Sequence, residues 1–127
     1  MGRIKSFDEN EVLRLCASTF IAYGYEGTSI DQIVSSTGLL RGSLYSAYGS
    51  KRGIFIATLK EVFLDKEESS QKLDLCLVAL LELAPKDDEV KSLVTSYFDH
   101  SAHQDNWSQV LGERLLTRAG ISMTQNK

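Results

Sequence analysis

Arg41, Gly42, Ser43, Tyr45 and Ser46 lie almost side by side, with Lys51 a little further on and Thr28 and Ser29 upstream. These residue types suit contact with a polyanion and with base edges. The planar fork of arginine matches guanine O6/N7 or a phosphate, serine is a short adaptable hydrogen-bond partner, and glycine lets a backbone approach its ligand closely. Thr28, Ser29 and Lys51 stand where helices are expected to begin, and helix N-termini favour phosphates. From Gln32 to Lys60 the charged residues are Arg41, Lys51, Arg52 and Lys60, all basic, although the whole chain carries a net charge of −3. From Glu67 onward six basic residues stand against ten acids. Local sign matters more than the total, so a neutral-to-basic front and an acidic rear point to two jobs.

Other chemistries are poorly provided for. The acids are scattered, and no nucleophile, base and orienting group fall together, so an enzyme is not expected. His100 and His103 have i, i+3 spacing beside Asp99 and Asp105, but no third soft ligand follows at a suitable distance, so neither a metal nor another cofactor is expected. Cys16 and Cys76 fall on apolar stripes and read as small buried hydrophobes. Two lone cysteines make no disulfide framework, and the polar start MGRIKSFDENE lacks the apolar segment of a secretory signal. No apolar run approaches the ~18 residues of a membrane span. A cytoplasmic protein without a membrane partner is the expectation.

The elements that must position these residues read as helices throughout, in a chain of 127 residues whose 43% hydrophobic content can bury a core. Asp8, with Glu11 three residues on, marks the start of a helix running through Val12, Cys16 and Phe20 to Gly24. A second, short helix starts at Thr28 or Ser29 and stops at Gly38. A third covers Arg41 to Tyr48, with Leu44 and Tyr48 on its inner side. Ser50 then caps a fourth with the amphipathic stripe Ile54, Phe55, Leu59, Val62 and Phe63. Residues 65–72 are open between a continuation, a kink and a loop. Leu73 to Ala84 is apolar on nearly all sides, Pro85 interrupts, and Asp87 or Asp88 starts a helix through Val90, Val94 and Tyr97. Asp105 or Asn106 starts the last helix, which runs to Gly120. Two short helices around Gly38, supported by longer ones before and after, make a helix-turn-helix.

The stretch from Thr28 to Lys51 resembles the DNA-binding domain of the tetracycline-repressor (TetR) family of bacterial transcriptional regulators. The likeness rests on Phe20, Gly24, Tyr25 and Thr28 upstream, on Gly38, on Gly-Ser-Leu-Tyr at Gly42 to Tyr45, on Tyr48, and on Ser50-Lys51. It spans roughly residues 7 to 63. The resemblance implies that Ser29, Arg41, Ser43, Tyr45 and Lys51 occupy DNA-contact positions, Tyr45 and Lys51 mostly on phosphates and Arg41 and Ser43 nearer the bases. With the residue-level reading, the DNA-facing set is Thr28, Ser29, Arg41, Gly42, Ser43, Tyr45, Ser46 and Lys51. Two departures stand out. Leu40 replaces the Ser or Thr that usually caps the recognition helix, and Arg52 and Gly53 replace helix-favouring acidic residues after the lysine.

The fold expected is therefore all-α: a helix-turn-helix DNA-binding domain over residues 1–50, and a linking fourth helix with a short C-terminal dimerisation region over residues 51–127. Family members usually carry a longer C-terminal part that binds a small molecule and dimerises, so this chain reads as a natural short form or a truncated product. Its apolar density favours a homodimer, with Leu80, Leu83, Tyr97, Phe98, Trp107, Leu111 and Leu115 as interface candidates. The expected activity is repression from an inverted-repeat operator on double-stranded DNA, with a small-molecule inducer as an optional release. The alternative is a truncated regulator that captures a full-length relative as a heterodimer.

Overall fold

The computed structural model describes residues 7–101 and 106–122. It divides into two compact units, residues 1–67 and 68–127. The fourth helix, grouped from sequence with the C-terminal region, lies in the first unit and packs chiefly against the first helix.

The first unit holds α1 (Glu9–Tyr23), α2 (Ile30–Thr37), α3 (Arg41–Tyr48) and α4 (Lys51–Leu64). Each start is set by a local acceptor where one exists. Asp8 accepts from the Asn10 and Glu11 amides, Ser29 forms a reciprocal capping box with Gln32, and Ser50 accepts from the Gly53 amide. The α2 exit at Gly38 is left-handed, with φ 76°, a conformation that glycine adopts without steric cost. This residue makes the turn between the two short helices.

Phe20, Phe55, Ile33, Leu44, Ile54 and Leu59 form the centre of this unit and are fully buried. The Phe20 ring meets Phe55 edge-on at 4.9 Å, and Tyr25 meets Phe55 at 5.2 Å. This aromatic cluster joins α1, α4 and the loop before α2. The sequence stripe on α4 is narrower than the buried surface: Ile56 and Thr58 are buried as well, so the helix is covered on more than one side. Thr58 can be buried because its hydroxyl donates to the Ile54 carbonyl at 2.7 Å. Gly53, which the sequence marks as a weak helix former, has a steric reason. A Cβ there would lie 1.9 Å from the Tyr48 carbonyl oxygen, so the α3–α4 turn closes only over a glycine.

The second unit contains α5 (Ser70–Val78), which passes into a π-helical turn over Ala79–Leu83 and a 3-10 turn over Ala84–Lys86, then α6 (Asp88–Asp99) and α7 (Trp107–Arg118). The stretch left open by the sequence is thus a break: α4 ends at Leu64, and Ser69 caps α5. Asp87 caps α6, and Asn106 precedes α7 without a side-chain cap bond. Asp105 and His103 lie outside the described residues. Pro85 explains the irregular end of α5. Its ring has no N–H for the carbonyl one turn earlier and clashes with it, so the helix loosens before the proline.

Leu75, Cys76, Ala79, Val90 and Val94 form the core of this unit, with Tyr97 and Trp107 beside them. Trp107 packs at 4.5 Å from the Phe98 ring and 5.1 Å from Tyr97, and its indole N–H donates to the Phe98 carbonyl. Asp74 accepts from Arg114 Nε at 2.6 Å and Nη2 at 3.0 Å, tying α5 to α7. No described helix is long and apolar enough to cross a membrane.

Candidate nucleic-acid interface

The third helix is short, and its sequence gives it only one strong anchor. Leu44 is fully buried, and Tyr48 is half-buried with its hydroxyl donating to Glu9 Oε2 at 3.1 Å. Burial, reinforced by the Glu9 carboxylate, holds the Tyr48 phenol well above its ordinary pKa, so it remains a donor. With Leu44 and Tyr48 turned inward, Arg41, Gly42, Ser43, Tyr45 and Ser46 are all exposed. Helical periodicity converts their close sequence spacing into one outward surface.

Arg41 is held from the neighbouring helix: its Nη2 donates to Asp31 Oδ1 on α2 in an exposed ion pair. The pairing spans the turn at Gly38 and joins the two short helices at the surface. Sequence reasoning missed Asp31, because nothing short of the folded turn shows that residues ten apart meet. Tyr45 is 43% exposed, with its ring at the surface.

Ser29 is exposed at the start of α2, its Oγ accepting from the Gln32 amide. Thr28 does not stand with the exposed set. It is 1% exposed, and its hydroxyl donates to the Gly24 carbonyl at 2.6 Å, so its side chain fastens the loop after α1. Lys51 is half-buried. Its ammonium donates to the Tyr25 and Thr28 carbonyls at 2.9 and 3.1 Å and lies 4.5 Å from the centre of the Tyr25 ring. Two of its three N–H groups thus brace the loop before α2. Tyr25 is a second residue whose part was not foreseen. The signal was its place one residue after Gly24, facing aromatic positions on α1 and α4.

The N-terminus of α3 lacks a side-chain cap. Leu40 occupies that position with extended backbone and a side chain that is 75% exposed.

Among the interface candidates of the second unit, Leu83, Tyr97 and Trp107 are buried, Leu80, Phe98 and Leu111 are half-buried, and Leu115 is exposed. Tyr97 and Trp107 lie in the unit's interior, with the half-buried Phe98 packed against Trp107. Leu81 and Leu115 are the large apolar side chains of α5's π-helical extension and of α7 that stand exposed. The buried thiols are chemically quiet: burial pushes Cys16 up to about 11 and Cys76 up to about 12. His100 Nδ1 lies 2.8 Å from the Ser96 carbonyl oxygen.

A short helix, a left-handed glycine turn and a second short helix with an exposed polar face, braced by α1 and α4, define a helix-turn-helix domain of the DNA-binding class. Residues 13–58 match the family described as bacterial regulatory proteins, tetR family, so this segment is similar to that family's DNA-binding domain. An uncharacterized HTH-type transcriptional regulator of Bacillus subtilis (strain 168), YezE, is 47% identical over 60 residues, which are 47% of this chain and 31% of that protein. The HTH-type transcriptional repressor ComR of Escherichia coli (strain K12) is 29% identical over 97 residues, 76% of this chain and 42% of the repressor. The HTH-type transcriptional repressor AcnR of Corynebacterium glutamicum is 31% identical over 51 residues, 40% of this chain and 27% of that repressor. The chain thus spans well under half the length of these relatives.

Proposed function

We propose that this protein is a homodimeric repressor that binds double-stranded DNA in the bacterial cytoplasm, each subunit laying α3 in a major groove over an inverted-repeat operator. The observation that carries this reading is the exposed face of α3, where Arg41, Gly42, Ser43, Tyr45 and Ser46 surround a single fully buried anchor, Leu44. A helix fits the major groove and reads bases from its first turns, while the preceding helix lies across the backbone. In that arrangement Arg41 and Ser43 face base edges, and Tyr45 and Ser29 face phosphates. Ser46 lies on the same outward surface as Tyr45. Lys51 contributes positive charge beside the α4 N-terminus while bracing the loop. The two relatives named repressors, ComR and AcnR, agree with the direction of control.

Two-fold symmetry requires equivalent half-sites on one face of the duplex, about 34–36 Å apart or a multiple of that. Exposed Leu81 and Leu115 of the second unit support dimerisation there. Selection of bound duplexes from a random library tests the reading. The expected result is a pair of inverted half-sites at such a spacing. A single asymmetric site would remove the homodimer, and no enrichment at all would remove the DNA-binding reading.

A further inference from the structure

Two residues at the start of α3 run against helix building without a structural return. Leu40 sits at the N-cap, where an oxygen-bearing side chain would accept from the first turn, and it offers none. Gly42 lies within the first turn, where glycine weakens a helix, yet a Cβ there would meet nothing within 4 Å. Such local conflicts are expected where function, rather than packing, selects the residue. Gly42 leaves space for another surface to come close, and Leu40 stands next to it, 75% exposed and beside Arg41.

We infer that Leu40 is a specificity-determining residue that packs against the C5-methyl group of a thymine in the major groove, next to the base reached by Arg41. The inference rests on the function proposed above. The thymine methyl is the apolar group that the major groove displays, and a leucine has neither donor nor acceptor for a phosphate or a polar base edge. Leu40 is the large apolar side chain standing exposed at the helix start, immediately before Arg41. A protein surface could also cover Leu40, but the same first turn carries a charged arginine and an open glycine, which suit a groove better than an apolar interface.

The test uses the full chain and the duplex that it selects most strongly. Each thymine is replaced in turn by deoxyuridine, which removes only the methyl group. One thymine per half-site should weaken binding by about four-fold when changed, the value of one buried methyl-sized group. Leu40→Ser should abolish that dependence while raising the thermal midpoint, because the serine supplies the missing cap. A gain in stability together with a loss of methyl dependence is an outcome that a merely structural leucine would not give. Leu40→Ala serves as the second variant and should lose the dependence without the added cap. If no thymine is sensitive, or if both variants remain as sensitive as the native chain, the role of Leu40 is overturned while DNA binding stands. If no duplex is selected, the functional reading falls and this inference falls with it.

Discussion

At the scale of single residues, the proposed interface is a set of outward side chains held by a few inward ones. The Arg41–Asp31 pair is exposed on both sides, so its worth to stability is about 1 kcal/mol or less. Its larger consequence is orientation, since an arginine tethered from α2 is presented in one direction. Asp31→Asn should therefore raise affinity for arbitrary duplex several-fold, because one carboxylate near the phosphates is gone and Arg41 can turn to them. It should also lower the ratio of operator to non-operator affinity. Competition titrations measure both quantities, and an unchanged ratio would show that Asp31 does not orient the arginine. Arg41 was legible in the sequence from its type, its basic surroundings and its place after Gly38. Its partner was not, because the contact exists only once the turn has formed. Thr28 shows the converse: its type and its place near a helix start suit phosphate, yet its hydroxyl is used to close a buried loop.

At the scale of elements, α3 depends on its neighbours for its position. Lys51 on α4 holds two carbonyls of the loop leading into α2. Lys51→Met keeps the stem but removes the ammonium, leaving the Tyr25 and Thr28 carbonyls without it. A loss of about 1–2 kcal/mol follows, measurable as a shift of the urea midpoint. The same variant should flatten the dependence of log affinity on log salt by about one unit without altering base preference. An unchanged slope, after correction for folded fraction, would confine Lys51 to its bracing role. The boundaries of α3 could be read in advance because Gly38 and Gly49 punctuate it. The π-helical end of α5 could not, since Pro85 tells where a helix fails but not which way the preceding turn relaxes. Nor could the ties from Arg14 to Asp65 or from Asp74 to Arg114, which join positions far apart in the chain.

At the scale of the whole molecule, stability should have a characteristic dependence on pH. Cys16 and Cys76 ionise near 9 when unfolded, but burial places them at about 11 and about 12 in the folded chain. Burial also raises the phenols of Tyr48 and Tyr97, each helped by a neighbouring carboxylate. All four groups have raised pKa values, so the unfolded state loses its protons first as pH rises. Their contribution to stability is intact below about 9 and declines through the alkaline range above it. Urea midpoints from these groups should therefore hold steady from neutrality to about 9 and fall beyond, with a shallower fall in Cys16→Ala; an equally steep fall in that variant would remove the thiol from the account. Dimerisation makes a separate prediction. Replacing exposed Leu81 and Leu115 together by lysine should leave a folded monomer whose operator affinity is at least tenfold weaker, because two linked half-site contacts become one. Equilibrium sedimentation reads the mass, and an unaltered dimer would place the interface elsewhere. The all-helical class and the helix-turn-helix were visible in the spacing of glycines, caps and apolar residues. The interior position of Tyr97 and Trp107 was not, because an aromatic stripe looks the same whether a chain folds over it or a second copy covers it.

In the proposed function, the exposed face of α3 binds duplex DNA through a charged, groove-reading contact. Sedimentation velocity of the purified chain with genomic duplex, at about 50 and about 200 mM salt, tests it most directly. The expected result is a dimer that travels with DNA at the lower salt and is largely released at the higher. A chain that sediments apart from DNA at both, or a complex indifferent to salt, would contradict it.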